Sequence, residues 1–350
     1  MVFKMTSRTA SRSRKPTIND VARVSGLSKK TVSRVLNNSP HVAEKTREKV
    51  SAVIKELDFA PDPQARSLAS KKSFTLGLVY DNPNALYISD IQIGVLRACQ
   101  GTGYELIMHP GDFGNRQLVE EIEGFVSRAR IGGVILLSPI SQRNALAQRL
   151  RRDGIPYVRI SPRKIDSEAR IVVSNDRRGA ELMSEYLVSI GHRNIGFVSG
   201  PAPNLSAQEK YDGFCSVMKK NRLSLRKSLV AQGENTFESG VLAGKHLLDR
   251  KDRPSAIFAS NDAMALGVLK SATMLGMKVP EDISIAGFDD SALATVTWPD
   301  LTTIHQPVER MGEMAAWKLL AQLTNGGISA DLPIATEPEL IVRNSTMKHS

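Results

Sequence analysis

The stretch that decides the fold of the amino-terminal part is TINDVARVSGLSKKTVSRVL, residues 17–36. Thr17 is a favourable N-cap residue for a first helix, with Asp20 at the third helical position. The apolar residues behind it recur at helical spacing: Ile18, Val21, Ala22 and Val24. Gly26 is typical of a helix end, because glycine adopts left-handed backbone angles without a steric penalty. Two short amphipathic helices with a glycine turn between them are therefore predicted.

The second of these helices presents a cationic face. Ser28 can cap it, and its apolar side chains at i, i+3 and i+4 are expected to face inward: Val32, Val35 and Leu36. Five polar side chains are expected to stay in solvent: Lys29, Lys30, Thr31, Ser33 and Arg34. A third helix, from about residue 44 to 57, has an apolar stripe of its own, although Ala43 is a poor cap. Three helices can share a minimal core, and the exposed face then fits a DNA groove.

The charge of the chain is concentrated at this end. Residues 1–72 hold 16 Lys or Arg against 6 Asp or Glu, and the rest hold 31 against 30, within a net charge of +11. A phosphate backbone attracts such a cationic surface regardless of sequence. The run from Arg8 to Lys15 taken alone is more typical of a solvated basic tail.

Length and composition bound the remaining possibilities. A chain of 350 residues with 41% hydrophobic content can hold more than one domain and a sizeable core. No apolar run approaches membrane-spanning length, and MVFKMTSRTASRSRK has no segment of signal-peptide type, so we expect a cytoplasmic protein without membrane contact. The two cysteines, Cys99 and Cys215, lack metal-ligand spacing, and we expect both to be reduced and buried.

From Phe74 onward, apolar runs alternate with amphipathic segments. The runs are FTLGLVY, YELIMH, GVILLS, YVRIS, IVVS, IGFVSG, SLVAQG, SAIFAS, ISIAGFD and LTTIHQ. Strands that are buried on both faces have this composition, so an α/β fold with parallel sheets is predicted. About ten strands exceed the usual share of one sheet, which favours two doubly wound lobes with a ligand cleft at the strand carboxyl ends.

Together these motifs resemble the LacI/GalR family of transcription regulators over essentially the whole chain. The headpiece stretch continues into TREKV and ARSLA, and IGHRNIGFVSG, ASNDAMALGVL, VPEDISIAGFDD and WPDLTTIHQP are similar to the core motifs of the family, in the same order. The resemblance implies an α/β chain with four parts. These are a basic flexible extension (1–15), a helix-turn-helix headpiece (16–60), a hinge (61–73) and an effector-binding, dimerising core like a periplasmic binding protein (74–350). Its first lobe is expected at about 74–172 and 306–332, and its second at about 173–305 and 333–346.

The resemblance also implies a homodimer whose headpieces enter successive major grooves of a pseudo-palindromic operator. Lys29, Lys30 and Arg34 are then candidates for reading base edges, since arginine and lysine favour guanine O6 and N7. Candidates for phosphate contacts that fix the register are Thr17, Ser28, Thr31, Ser33 and Asn37. Leu68 matches the intercalating leucine of the family and could wedge between base steps from the minor groove. The bland alternative for residues 61–73 is a tether.

In the predicted cleft, some residues match the pattern of the family and others depart from it. Asp289 and Asn261 stand where the family hydrogen-bonds its ligand, and four further residues align with positions that approach it: Asp81, Tyr87, Ser161 and Gln306. Lys210 falls where an arginine is usual, and an ammonium cannot reproduce the guanidinium fork. Asn235 falls where an aromatic ring often stacks on the ligand. Each of these residues could instead be purely structural.

The expected function is a sequence-specific repressor that a small-molecule effector controls. A sugar or glycoside is the first expectation for this effector, and a nucleobase or other metabolite acting as corepressor is the alternative. No metal or cofactor is expected. An enzyme receives little support, since GxxxxGK[ST], GxGxxG after a strand, HExxH and GxSxG are absent. A periplasmic sugar-binding protein would lack the headpiece. The tail ELIVRNSTMKHS is too short for a leucine heptad helix, so a dimer is preferred to a tetramer.

Overall fold

The computed structural model describes residues 16–36, 41–59, 73–324 and 332–349. The chain divides into two compact units, Met1–Lys72 and Ser73–Ser350. Several predicted features lie outside the described residues, namely the basic extension 1–15, Asn37 and the hinge residues 61–72 with Leu68.

The headpiece contains the three predicted helices: α1 (Ile18–Ser25), α2 (Lys29–Leu36) and α3 (Glu44–Glu56). The Thr17 backbone N–H and hydroxyl both donate to Oδ2 of Asp20, at 2.9 and 2.7 Å. Gly26 ends α1 with φ of 63°, in the left-handed region. Six buried residues form a small core: Val21, Val32, Val35, Val50, Val53 and Phe59. Val24 is instead 42% exposed, because the inward face of an eight-residue helix is too narrow for all four apolar residues.

The larger unit alternates strands and helices. Its first lobe contains β1 (Thr75–Tyr80), α4 (Ala85–Cys99), β2 (Glu105–Pro110), α5 (Leu118–Arg128), β3 (Gly133–Leu136), α6 (Asn144–Arg152), β4 (Tyr157–Ser161) and β5 (Ile171–Val173). The second lobe contains α7 (Asp176–Ser189), β6 (Ile195–Ser199), α8 (Leu205–Lys220), β7 (Val230–Gln232), α9 (Phe237–Leu248), β8 (Ala256–Ala259), α10 (Asp262–Met274), β9 (Ser284–Ala286) and β10 (Thr303–His305). The chain then returns through α11 (Val308–Leu323) to the first lobe and ends with β11 (Glu339–Ile341) in the second.

Nine of the strands form two parallel sheets, as the sequence predicts. The first has the order β2-β1-β3-β4-β5 and the second the order β7-β6-β8-β9. All ten predicted strands are present. The sequence did not predict β11, a short, partly exposed strand that pairs antiparallel with β10. A strand of three residues leaves too weak a pattern of alternation to be recognised.

Helices cover both faces of each sheet. In the first lobe, α4 and α11 pack on one face and α5 and α6 on the other. In the second lobe, α9 and α10 cover one face and α7 and α8 the other. The α4–α11 contact is close, since a Cβ built on Gly94 would lie 1.9 Å from the Glu309 carbonyl oxygen. The described helices include none that is both long enough and apolar enough to cross a membrane.

The chain crosses between the lobes three times. The first crossing follows β5, the second lies between β10 and α11, and the third lies between α11 and β11. The first and third run side by side, because the Val173 N–H donates to the Ile334 carbonyl and the Thr336 N–H donates to the Val173 carbonyl. The carboxyl ends of both sheets therefore face one cleft between the lobes.

Candidate functional site

The cationic face of the headpiece is the first candidate site. Lys29, Lys30 and Arg34 are all exposed on α2. Ser28 caps this helix, since its Oγ accepts from the Thr31 N–H at 3.1 Å and lies 2.9 Å from the Thr31 hydroxyl. This contact fixes the first turn of α2, where the two lysines are located. The arrangement suits a helix that presents its amino-terminal residues to a DNA groove.

The residues expected to contact phosphate are placed unevenly by the structure. Ser28 is exposed, Thr31 and Ser33 are half-buried, and the Thr17 hydroxyl is engaged by Asp20. Thr17, Ser28 and Thr31 therefore stabilise helix ends in the free headpiece. Asn37 and Leu68 lie outside the described residues. Their predicted roles, like those of the other seven residues expected to contact DNA, stay predictions.

The second candidate site is the cleft between the two lobes of the core. The space in it that no protein atom fills is about 590 Å³, a figure that includes open solvent. Its walls come from segments at the carboxyl ends of strands in both sheets. The lining residues are Asn82, Asn84, Tyr87, Ser138, Ile160, Ser161, Ser174, Asp176, Asn204, Ser206, Ala207, Lys210, Asn235, Ser260, Asn261, Asp289 and Gln306.

Seven of the eight residues predicted for the cleft line it, namely Tyr87, Ser161, Lys210, Asn235, Asn261, Asp289 and Gln306. Asp81 does not, and here the structure disagrees with the prediction. Its Oδ2 accepts from the Phe113 N–H at 2.8 Å, which fixes the loop after β2. Asn82 and Asn84 take the lining positions instead. Where a strand ends, a shift of one residue along the chain changes the side to which a side chain points.

Asp289 is the most unusual group in the cleft. It follows β9 with φ of 111°, a strained angle for a residue other than glycine. Its Oδ2 accepts only one weak hydrogen bond from the described residues, from Asn84 Nδ2 at 3.3 Å. Burial raises the pKa of Asp289 to about 8, although Lys210 opposes the rise. A buried carboxyl with so few partners can accept hydrogen bonds from ligand hydroxyls.

Lys210 lies close to this carboxyl but already has protein partners. Its Nζ donates to the Ser260 carbonyl oxygen at 3.0 Å and lies 3.8 Å from Asp289 Oδ1. The same atom lies 3.8 Å from the centroid of the Phe288 ring, a cation–π contact. Since an ammonium has three N–H donors, these contacts leave few for a ligand. Lys210 therefore uses most of its hydrogen-bonding capacity within the protein.

A second carboxyl lies where the chain crosses between the lobes. Asp176 Oδ1 accepts from Gln306 Nε2 and its Oδ2 accepts from the Ser174 hydroxyl, both at 2.8 Å. Gln306 Nε2 also donates to the Ser174 carbonyl at 3.2 Å. Asp176 is thus satisfied, and this network joins the first and second crossings. Gln306 positions the crossing segments in addition to lining the cleft.

The wall formed by the second sheet is rich in amides. Asn261 caps α10 through its Oδ1, which accepts from the Met264 N–H, and its Nδ2 donates to the Asn235 carbonyl at 3.0 Å. Asn235 has φ of 59°, in the left-handed region that asparagine tolerates. Phe237 is 42% exposed and does not line the cleft. Among the lining residues Tyr87 is the one aromatic, and burial raises its pKa.

Two asparagines that sequence reasoning missed connect the lobes. Asn84 caps α4 and also donates to Asp289 across the cleft. Asn204 caps α8 and accepts from the Ser138 hydroxyl at 3.2 Å, with its own N-cap hydrogen bond to the Ser206 N–H. Each asparagine caps a helix that follows a strand, and that position could have identified it. The described residues contain no cluster of His, Cys, Asp and Glu that could hold a metal ion.

Comparison with known proteins identifies the class of this protein. Residues 17–62 match the model of bacterial regulatory proteins of the lacI family, and residues 184–346 match a periplasmic binding protein-like domain. The repressor PurR of Vibrio vulnificus is 33% identical over 333 residues, which cover 95% of this chain and 99% of that protein. The ribose operon repressor of Escherichia coli K12 is 32% identical over 308 residues, covering 88% of this chain and 93% of that protein.

Solved structures agree with these relatives. The lac repressor dimer bound to operator and the anti-inducer ONPF has a TM-score of 0.76 at 26% identity, over 95% of this chain and all of that one. The regulator CelR in complex with cellobiose has a TM-score of 0.69 at 30% identity, over 94% of this chain and 99% of that one. The chain therefore belongs to the LacI family of transcriptional regulators. It is a DNA-binding transcriptional regulator, and its relatives include transcriptional repressors, of which the lac repressor is seen as a dimer on its operator.

Proposed function

We propose that the effector is a polyhydroxylated small molecule, a sugar or glycoside, bound in the cleft between the core lobes. The observation that carries this proposal is the composition of the cleft wall, in which 15 of the 17 lining residues have a polar side chain. Amide, hydroxyl and carboxyl groups that converge from both lobes match a ligand with hydroxyls around its whole perimeter. Asp289 supplies the acceptor with the most unused capacity.

A nucleobase or other small metabolite acting as corepressor is the second candidate, because amide and carboxyl groups can also pair with the polar edge of a base. The wall argues against it, because a flat base is usually held between apolar or aromatic faces and Tyr87 is the one aromatic that lines the cleft. The sign of the response, induction or corepression, follows from which form of the protein the effector binds better.

A thermal-shift panel tests the effector class. We expect D-ribose, cellobiose or a related saccharide to raise the melting temperature of the purified protein, because a ligand that binds the native state stabilises it. Adenine, guanine and hypoxanthine are expected to leave it unchanged. Stabilisation by a purine base alone would replace the sugar with the nucleobase. A compound that shifts the melting temperature is then titrated against operator binding to give the sign of the response.

The proposed DNA contacts divide among base reading, phosphate contacts and a minor-groove wedge. Lys29, Lys30 and Arg34 read base edges, and Thr17, Ser28, Thr31, Ser33 and Asn37 contact phosphates. Leu68 wedges into the minor groove at the centre of a pseudo-palindromic operator. A regulator that binds the chromosome must share its compartment, so the protein is placed in the cytoplasm, at the nucleoid.

Arg34→Ala tests the assignment of base reading. We expect operator affinity to fall by about 1–3 kcal/mol, with the loss confined to one base position in a set of single-base operator variants. Arg23→Ala is the matched control, since Arg23 is exposed on α1 and pairs with Asp20. A loss that is uniform over all operator variants would make Arg34 a phosphate contact.

A further inference from the structure

An ion pair joins the two lobes of the core, and its two residues are not among those predicted for the cleft. Arg163 follows β4 in the first lobe, and its Nε contacts Oε1 of Glu209, which lies on α8 in the second lobe. Neither residue lines the cleft, but both have neighbours that do. Arg163 donates its backbone N–H to Ser161 Oγ at 3.5 Å, and Glu209 precedes Lys210 in the chain.

Glu209 is an unusual partner for such a surface contact, because its side chain is only 5% exposed. Its Oε2 accepts from Nε of Arg177 at 2.7 Å, so two guanidinium groups hold one buried carboxylate. Arg177 belongs to α7, in the same lobe as Glu209, whereas Arg163 belongs to the other lobe. Charge-assisted hydrogen bonds to a carboxylate shielded from water are stronger than exposed pairs.

A second carboxylate extends the cluster. Asp212 lies one helical turn after Glu209, 2.9 Å from Arg177 and 3.8 Å from Arg163. Gln208 Nε2 donates to the other oxygen of Asp212 at 2.7 Å. The side chains of Arg163 and Arg177 are 48% and 44% exposed, which places the cluster at the solvent edge of the contact between the lobes.

We propose that Arg163, Glu209, Arg177 and Asp212 form a lobe latch, in which Arg163 closes the first lobe onto a receptor that α7 and α8 hold ready. Arg177 keeps the Glu209 carboxylate paired when the lobes separate, so opening leaves no buried charge without a partner. The latch favours the closed cleft, slows the escape of a bound effector and weakens as salt increases. Its control of effector binding rests on the proposed function, but its formation does not.

A double-mutant cycle on the full-length protein tests whether the latch forms without any effector. We expect Arg163→Met and Glu209→Gln each to lower the melting temperature. The double variant should lose about 2 °C less than the sum of the two single losses. The difference should become smaller, but not vanish, when NaCl is raised from about 0.05 to 0.5 M, because Arg163 is half-exposed and Glu209 is buried. The matched control is Lys164→Met, because Lys164 pairs with Glu168 within the first lobe. It should add to Glu209→Gln without interaction. Additive losses for Arg163→Met would overturn the latch.

A second measurement tests its effect on the effector. For the saccharide or base that stabilises the protein in the panel of D-ribose, cellobiose and purine bases, Arg163→Met should weaken binding about tenfold, through faster dissociation. Arg163→Lys should recover part of this loss, and Lys164→Met should have no effect. Unchanged dissociation in Arg163→Met would overturn control by the latch. A non-additive cycle combined with no binding of any panel compound would contradict the proposed effector and leave the latch standing.

Discussion

The headpiece and the cleft of the core use charged and polar side chains in opposite ways: the headpiece exposes them to solvent, and the cleft encloses them. In the headpiece, one short helix presents Lys29, Lys30 and Arg34 to solvent, and six buried residues are enough to hold it. In the cleft, Lys210 is buried, the Asp289 side chain is only 9% exposed, and at least eight separate segments supply the wall. A DNA backbone is a long polyanion that an exposed cationic surface can attract, whereas a small neutral ligand needs enclosed hydrogen-bonding groups.

The two regions therefore also differ in the substitutions that they can tolerate. The headpiece has one small core, so a single polar group placed there should disrupt it, but its candidates for base reading, Lys29, Lys30 and Arg34, are exposed and can change without loss of folding. The cleft belongs to a unit with four hydrophobic clusters, and its functional side chains also cap helices and join crossings. Function and stability are thus more closely linked in the cleft than in the headpiece.

The substitution with the largest expected effect destabilises the core and leaves the headpiece folded. Gly94→Ala places a Cβ 1.9 Å from the Glu309 carbonyl oxygen, so α4 and α11 must separate. We expect a loss of about 3 kcal/mol in the stability of the core, measured by denaturant unfolding. Gly124→Ala is the matched control, because its Cβ meets only the flexible end of the Arg128 side chain. It should be neutral or slightly stabilising. Equal losses in the two variants would contradict the close helix contact.

The converse substitution unfolds the headpiece and leaves the stability of the core unchanged. Val32 is completely buried in α2, and Val32→Asn leaves a polar amide in a core of six residues. We expect about 2–3 kcal/mol of destabilisation, which is enough to unfold so small a unit and abolish operator binding. The melting temperature of the core should be unchanged. Val24→Asn serves as the control, since Val24 is 42% exposed and its loss should leave the headpiece folded. Unfolding of both units together would show that they are not independent.

The smallest expected effect is a dependence of stability on pH that arises from the carboxyl group of Asp289 in the cleft. The pKa of Asp289 is raised to about 8, so between pH 7 and 8 the native protein retains a proton that the unfolded chain has lost. Stability should therefore fall as pH rises through this window, by at most about 1.4 kcal/mol per pH unit. The pKa of His192 is lowered to about 4 by burial, so this residue is neutral in the native state throughout the window.

Asp289→Asn should remove this slope, as measured by unfolding at a series of pH values. Asp249→Asn is a suitable control, because Asp249 is an exposed carboxylate at the end of α9 and should leave the slope unchanged. A wild-type protein whose stability is flat between pH 7 and 8 would show that Asp289 is ionised in the native state.

Sequence reasoning succeeded where the relevant residues are neighbours in the chain. The cap at Thr17, the turn at Gly26 and the exposed lysines of α2 follow from spacings within one helical turn. It failed at Asp81 and missed Asn84 and Asn204, because a strand end can direct consecutive side chains to opposite sides. The resemblance to the family named seven of the lining residues but not the contacts that they make with one another.

The amino-acid sequence by itself determined the helix-turn-helix, the cationic surface, the alternation of strands and helices, and through these the family. These features depend on local periodicity, capping and charge, which a chain carries before it folds. Only the tertiary structure decided that Lys210 is held by Ser260 and Phe288, that Asp289 is left with a raised pKa, and that Arg163 reaches Glu209 from the other lobe. Burial and partners far apart in the chain arise only when the two lobes assemble, since the protein environment shifts a pKa and pairs a charge.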